Sequence, residues 1–143
     1  MYRVEEMAAR LRLSATRLHR ALRRESGVLL SPSQMSALAA VDTHGPITLG
    51  ALAEHEGVAP PSITKVIAVL EEDGYVTRTP DPKDRRVNYV ASTPEGSDLV
   101  AESRRRKTAW LSGRIRELTT DQRQRLADAL DVIDELLKKD ASV

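Results

Sequence analysis

From residue 3 to residue 25, apolar side chains return every three or four positions: Val4, Met7, Ala8, Leu11, Ala15, Leu18 and Leu22. Arginines fill most of the gaps. This is the period of a long amphipathic helix, and Gly27 ends it. Ser31-Pro32-Ser33-Gln34 opens a second helix. Ser31 caps it, Pro32 suits its first position and Gln34 completes a capping box. Met35, Leu38, Ala39 and Val41 are its apolar positions, and His44-Gly45-Pro46 stops it. A third, short helix follows the cap Thr48 and runs from Leu49 to Glu56, with Leu49, Leu52 and Ala53 on its apolar face. Gly57 permits a sharp turn. A fourth helix begins near Pro60, carries Ile63, Val66, Ile67 and Leu70 on one face, and ends near Asp73, closed by Gly74. Two short helices joined by a glycine-containing turn make a helix-turn-helix.

Beyond Gly74 the period shortens to that of strands. Residues 75–79 and 87–91 alternate apolar and polar side chains around the tip Asp81-Pro82-Lys83-Asp84-Arg85-Arg86. Alone, such a tip is an ordinary solvated hairpin. Directly after a helix-turn-helix, it is a β-ribbon able to carry positive charge into a DNA groove. Thr93-Pro94-Glu95 starts a fifth helix reaching about Leu118. Thr119-Thr120-Asp121-Gln122 is a second capping box and opens a sixth helix, expected to run to residue 139. There Leu126, Ala129, Leu130, Ile133, Leu136 and Leu137 form an apolar stripe.

The expected fold is mainly α: a winged helix-turn-helix with long flanking dimerisation helices. We read residues 1–143 as one domain. Residues 1–29 are the N-terminal dimerisation helix, 30–93 the DNA-binding core and 94–143 the C-terminal dimerisation helices. The arms have little of their own subunit to cover them. Burying Leu126, Leu130, Ile133 and Leu137 against a second chain stabilises by about 1.5–3 kcal/mol per fully buried side chain. A homodimer is therefore expected, its twofold symmetry matched to an inverted-repeat site. Trp110 reads as a packing residue of an arm, with ligand stacking the alternative.

On the fourth helix, the face opposite the apolar one presents Pro61, Lys65 and Ala68, flanked by Ser62 and Thr64. Short side chains let a backbone approach base edges, where bulky charged ones would hold it away. Lys65 can donate to guanine or phosphate, Ser62 and Thr64 to phosphate or bases, and the helix N-terminus favours a phosphate. Singly, polar residues in a first turn are commonplace. Together with the turn and the wing they point to double-stranded DNA. Glu71-Glu72-Asp73 lies at the helix C-terminus, unfavourable to the macrodipole, and the sequence shows no partner for it.

Net charge is only +1, which argues mildly against nucleic acid, so the distribution matters more. Arg78, Lys83, Arg85 and Arg86 concentrate positive charge around the tip. The absence of cysteine excludes disulfides, cysteine-ligated zinc and thiol redox switching. His19, His44 and His55 show no ligand spacing, so no metal site is assigned. A metal-responsive regulator would need them to converge with acids such as Asp42 or Glu54. No nucleophile elbow, phosphate loop or zincin motif occurs, so neither an enzyme nor a cofactor is expected. Nothing resembles a signal peptide or membrane span, so a cytoplasmic protein is expected.

Several ordered pieces resemble the multiple-antibiotic-resistance regulator (MarR) family of bacterial transcription factors. They are Leu30-Ser31-Pro32-Ser33-Gln34, Leu49-Gly50-Ala51-Leu52-Ala53, Ser62-Ile63-Thr64-Lys65-Val66 with Leu70-Glu71, Gly74-Tyr75-Val76-Thr77-Arg78, the tip 81–86, and Thr93-Pro94-Glu95-Gly96. The resemblance implies a triangular homodimer gripping a pseudo-palindromic operator. It implies that Arg86 enters the minor groove, oriented by a salt bridge to Asp84, and that Lys83 and Arg85 meet phosphates. Narrow A·T-rich grooves concentrate negative potential, which suits that arginine. Repression, released by a small aromatic or anionic effector, is also implied. With only Tyr2, Tyr75, Tyr89 and Trp110 as aromatics, a strongly aromatic-lined pocket is not expected; Arg17 or Arg20 is the candidate to meet an anion. The chain departs from the family at Ala59, where Ser or Thr often caps the recognition helix, and at Lys65, where arginine is frequent. Lysine lacks arginine's planar bidentate fork. The competing readings are a winged-helix protein-interaction module that binds no DNA, and a metal-responsive regulator of the same fold.

Overall fold

The computed structural model describes residue 1 and residues 3–138. Tyr2 and residue 139, the expected end of the last helix, lie outside the described residues. In chain order the elements are α1 (Val4–Glu25), α2 (Pro32–His44), β1 (Ile47–Thr48), α3 (Leu49–Glu56), α4 (Pro60–Glu72), β2 (Val76–Pro80), β3 (Asn88–Ser92), α5 (Pro94–Arg116) and α6 (Thr120–Lys138). Two compact units result. One is Arg23–Arg106; the other joins Met1–Leu22 to the chain from Lys107 onward.

Helix starts follow the local chemistry of the chain. Ser31 Oγ accepts from Gln34 N at 3.2 Å while Gln34 Oε1 accepts from Ser31 N at 3.0 Å, a reciprocal capping box. Thr119 and Gln122 repeat it before α6, at 3.1 and 2.9 Å. Thr48 Oγ1 accepts from Ala51 N and so caps α3. Gly57 closes α3 in the left-handed region, φ 65°, where a Cβ would be strained. Gly57 N donates to Glu54 O and Val58 N to Ala53 O, satisfying two terminal carbonyls before the chain turns into α4.

Within Arg23–Arg106 one apolar cluster joins α2, α3, α4, the sheet and the start of α5. Leu38, Leu52, Ile63, Ile67, Leu70, Val41, Val76, Val90 and Val100 are its largest buried apolar members. On α2, Ala37 and Ala40 are buried beside Leu38 and Val41, while Met35 and the expected Ala39 are only partly covered. Small side chains there let α2 sit close to α4 and β3. Asp42 Oδ1 accepts from Ser92 Oγ at 3.0 Å and from Ser97 Oγ at 2.6 Å, tying α2 to β3 and α5.

The sheet has three antiparallel strands in the order β1-β3-β2, where the sequence suggested a two-stranded ribbon. The missed strand, β1, pairs Ile47 with Val90 and Thr48 with Tyr89. Two residues, the second of them the cap of α3, are too few to show a period of two. β2 and β3 begin one residue later than expected. Tyr75 N is taken by Leu70 O at the end of α4, and Val87 belongs to the tip through Asp84 O and Asp81 N.

In the other unit the apolar stripes of the arms are open. Val4, Met7, Leu11 and Leu18 of α1, and Leu130, Leu136 and Leu137 of α6, are exposed; Leu126 and Ile133 are half-buried. Trp110 is half-buried, with the Arg114 guanidinium carbon 5.3 Å from its ring centroid. No described helix is long and apolar enough to cross a membrane.

Candidate nucleic-acid interface

Helix α4 is held from behind and open in front. Ile63, Ile67 and Leu70 are buried, Val66 is half-buried, and Pro61, Ser62, Thr64, Lys65 and Ala68 are exposed. Its cap, Ala59, provides no side-chain hydrogen bond, as its methyl side chain dictates. The backbone of the first turn has no free N–H to offer a phosphate. Pro60 and Pro61 carry no N–H, and Ser62 N and Ile63 N already donate to Ala59 O. Of the backbone's contributions, only the helix dipole remains there to favour an anion. The Thr64 hydroxyl donates to Pro60 O at 3.0 Å, so it must rotate before it can donate to a ligand. Lys65 is exposed and forms no ion pair among the described residues.

The wing tip is built by two carboxylates. Asp81 Oδ1 accepts from Lys83 N at 2.7 Å and from Asp84 N at 3.2 Å, which turns the chain at Pro82. Asp84 then holds Arg86 in a fork. Its Oδ1 accepts from Arg86 N and Nε, both at 3.1 Å, and its Oδ2 from Nη2 at 3.2 Å. The Arg86 side chain is nonetheless 90% exposed, so it is oriented without being covered. Lys83 and Arg85 are also exposed and unpaired among the described residues. The Asp84–Arg86 pair expected from the resemblance is therefore present.

These bonds to Arg86, the side-chain one foremost, hold the Asp84 carboxyl below its ordinary value. A depressed carboxylate pKa contributes stability that is present above the unfolded value and lost as pH falls through the folded one. The fork should thus be intact throughout the neutral range. The Arg86 Nε resonance is expected to stay unchanged in an NMR titration from pH 8 to pH 6. Movement in that window would contradict the pairing.

Two features of this region were not evident in the sequence. The acidic end of α4 does have a partner: Glu71 Oε1 accepts from Arg78 Nη2 of β2 at 3.0 Å. Arg78, counted with the tip cations, is instead occupied midway along β2. His44 and His55 also meet, ring centroids 4.9 Å apart and edge to face, although the chain separates them. Among the described residues, no three His, Asp or Glu side chains gather to hold a metal. A cleft of about 230 Å³ lies beside the wing's base, lined by Gly27, Val28, Leu29, Leu30, Tyr75 and Leu99.

The MarR family profile matches residues 30–87, from the cap of α2 to the end of the wing tip. An uncharacterized HTH-type transcriptional regulator of Mycobacterium leprae is 42% identical over 132 residues, 92% of each chain. The crystal structure of a transcriptional regulator from Thermotoga maritima superposes with a TM-score of 0.76 at 26% identity, covering 97% of this chain and 99% of that one. Streptococcus pneumoniae FabT in complex with DNA shares the fold, with a TM-score of 0.68 at 17% identity over 96% and 99% of the chains. With this likeness over 92% of the chain, and with the helix-turn-helix and wing in place, the protein belongs to the MarR family of DNA-binding transcriptional regulators, which are not enzymes.

Proposed function

We propose that the protein is a repressor that binds a pseudo-palindromic operator as a homodimer, α4 in the major groove and the wing tip in the minor groove. The observation that carries this reading is the wing: an arginine forked by Asp84 yet nine-tenths exposed at the tip of a ribbon anchored beside α4. An oriented, uncovered guanidinium suits a narrow groove of high negative potential. Pro61, Ser62, Thr64 and Lys65 form the major-groove face, and Lys83 and Arg85 take phosphates. The exposed apolar stripes of α1 and α6 support dimerisation, since solvent-facing rows of Leu, Met and Val are covered when two arms pair. FabT, which shares the fold and is in complex with DNA, supports duplex DNA as the partner.

The proposal extends to control by a small effector. The cleft beside Tyr75 adjoins the end of α4, and apart from Tyr75 and Gly27 its lining residues carry aliphatic side chains. An aromatic ring fits such a lining better than a free anion does.

Selection from a random duplex pool tests the reading. Recovery of an inverted repeat with half-sites about one helical turn apart is the expected result. A sequence-independent pool would refute it. Lys65→Ala should then weaken binding by about 1 kcal/mol. An equal loss on selected and scrambled duplexes marks a phosphate contact; a loss confined to the selected duplex marks a base contact.

A further inference from the structure

We infer that the Glu71–Arg78 ion pair is a positioning brace that sets the angle of the wing relative to the recognition helix; this rests on the reading that the wing touches DNA. Glu71 lies on the last turn of α4, and Arg78 on β2 opposite Val90. Three hydrogen bonds to backbone carbonyls fix the base of the ribbon: Tyr75 N to Leu70 O at 2.9 Å, Thr93 N to Tyr75 O at 3.0 Å, and Thr93 Oγ1 to Gly74 O at 2.6 Å. All lie at residues 70–75 and 93, where the ribbon begins. Glu71–Arg78 reaches further along β2, and side chain to side chain, whereas β1 holds the other strand, at Val90 and Tyr89. Arg78 shares with Val76 the inward face of β2, and its side chain is only 25% exposed.

The leverage is what makes this contact matter. Five extended residues place the tip roughly 17 Å from the base of β2. A rotation of about 10° at the base then moves the tip by about 3 Å, more than the whole distance range of a hydrogen bond. Arg86 is locked to Asp84 and cannot reach far to correct such an error. An ion pair too weak to matter for global stability can therefore still decide where the tip arginine points.

Charge provides a clean separation of this role from long-range electrostatics. Glu71→Gln removes a negative charge near a polyanion, and Arg78→Gln removes a positive one. Through charge alone the first variant binds DNA more tightly and the second less tightly. As a brace, both bind the wild-type-selected duplex more weakly, each by about 5-fold. The exchanged pair Glu71→Arg with Arg78→Glu keeps the net charge and is expected to recover most of the affinity. In the Glu71→Gln background, Arg86→Ala is expected to cost several-fold less than in the wild-type protein, since the arginine is already misplaced. Melting curves by circular dichroism confirm that each variant is folded.

Shifts of opposite sign in the two single variants overturn the brace, as does an undiminished Arg86→Ala effect in the Glu71→Gln protein. If Arg86→Ala has no effect even in the wild-type protein, the wing does not touch DNA. The reading beneath the brace then fails, and the brace with it.

Discussion

Arg86→Ala is expected to weaken binding to the selected operator by about 1–3 kcal/mol, roughly 5- to 150-fold. Three properties of the site set this size. The guanidinium is 90% exposed, so little protein contact is lost with it. Its fork to Asp84 places the charge in advance, so less rotamer freedom is surrendered on binding. A minor-groove arginine draws on groove shape as well as charge, so the loss should be larger on an A·T-rich flank than on a G·C-rich one. Lysine at this position should recover only part of the affinity, because it keeps the charge but not the planar fork. The slope of log affinity against log salt should fall by about one contact's worth in the alanine variant. Fluorescence anisotropy on matched duplexes measures all of these. An affinity unchanged on every duplex would remove the wing from the interface.

The second large effect concerns stability and runs against ordinary helix propensity. Gly96 lies in the first turn of α5, and glycine in a helix normally costs about 1 kcal/mol relative to alanine. Gly96→Ala is nonetheless expected to destabilise, by about 2 kcal/mol net. A methyl group there would overlap the carbonyl oxygen of Tyr75 and approach Leu38 Cδ1 at 3.3 Å. The Tyr75 carbonyl cannot retreat freely, because it accepts from Thr93 N, and Thr93 Oγ1 in turn accepts from Gly96 N at 3.1 Å. α5 therefore starts where the backbone at the base of the wing permits no side chain. Gly113, further along α5, has open space around its missing Cβ. Gly113→Ala should gain up to about 1 kcal/mol. Thermal melts of the two variants should move in opposite directions, and a stabilised Gly96→Ala would mean that α5 and the wing base are not packed as described.

Much of this molecule was legible because its signals are local. Each cap acts within three residues of its helix, so Ser31, Thr48 and Thr119 announce α2, α3 and α6 to any reader of the chain. The buried faces of α3 and α4 follow from spacing alone, since a helix places residues three and four apart on one side. The wing tip belongs to the same class. Asp81 and Asp84 act on residues two or three positions away, so the Asp84–Arg86 fork depends on no distant part of the fold.

The misses share the opposite property. β1 exists because Ile47 and Thr48 find Val90 and Tyr89, some forty residues later; its own two residues carry no strand signal. The Asp42 anchor joins residues 50 and 55 positions apart. His44 and His55 meet because α2 and α3 pack, not because of any ligand spacing. Glu71 and Arg78, read along the chain, are an uncompensated helix end and a spare wing cation. Folding α4 against β2 turns them into one ion pair. The chain alone settled which segments are helix or ribbon and which cationic tip they carry, because capping, periodicity and turn chemistry are short-range forces. Which charges stay free and which are consumed came from packing, because a partner across an interface between elements leaves no mark on the residues beside it.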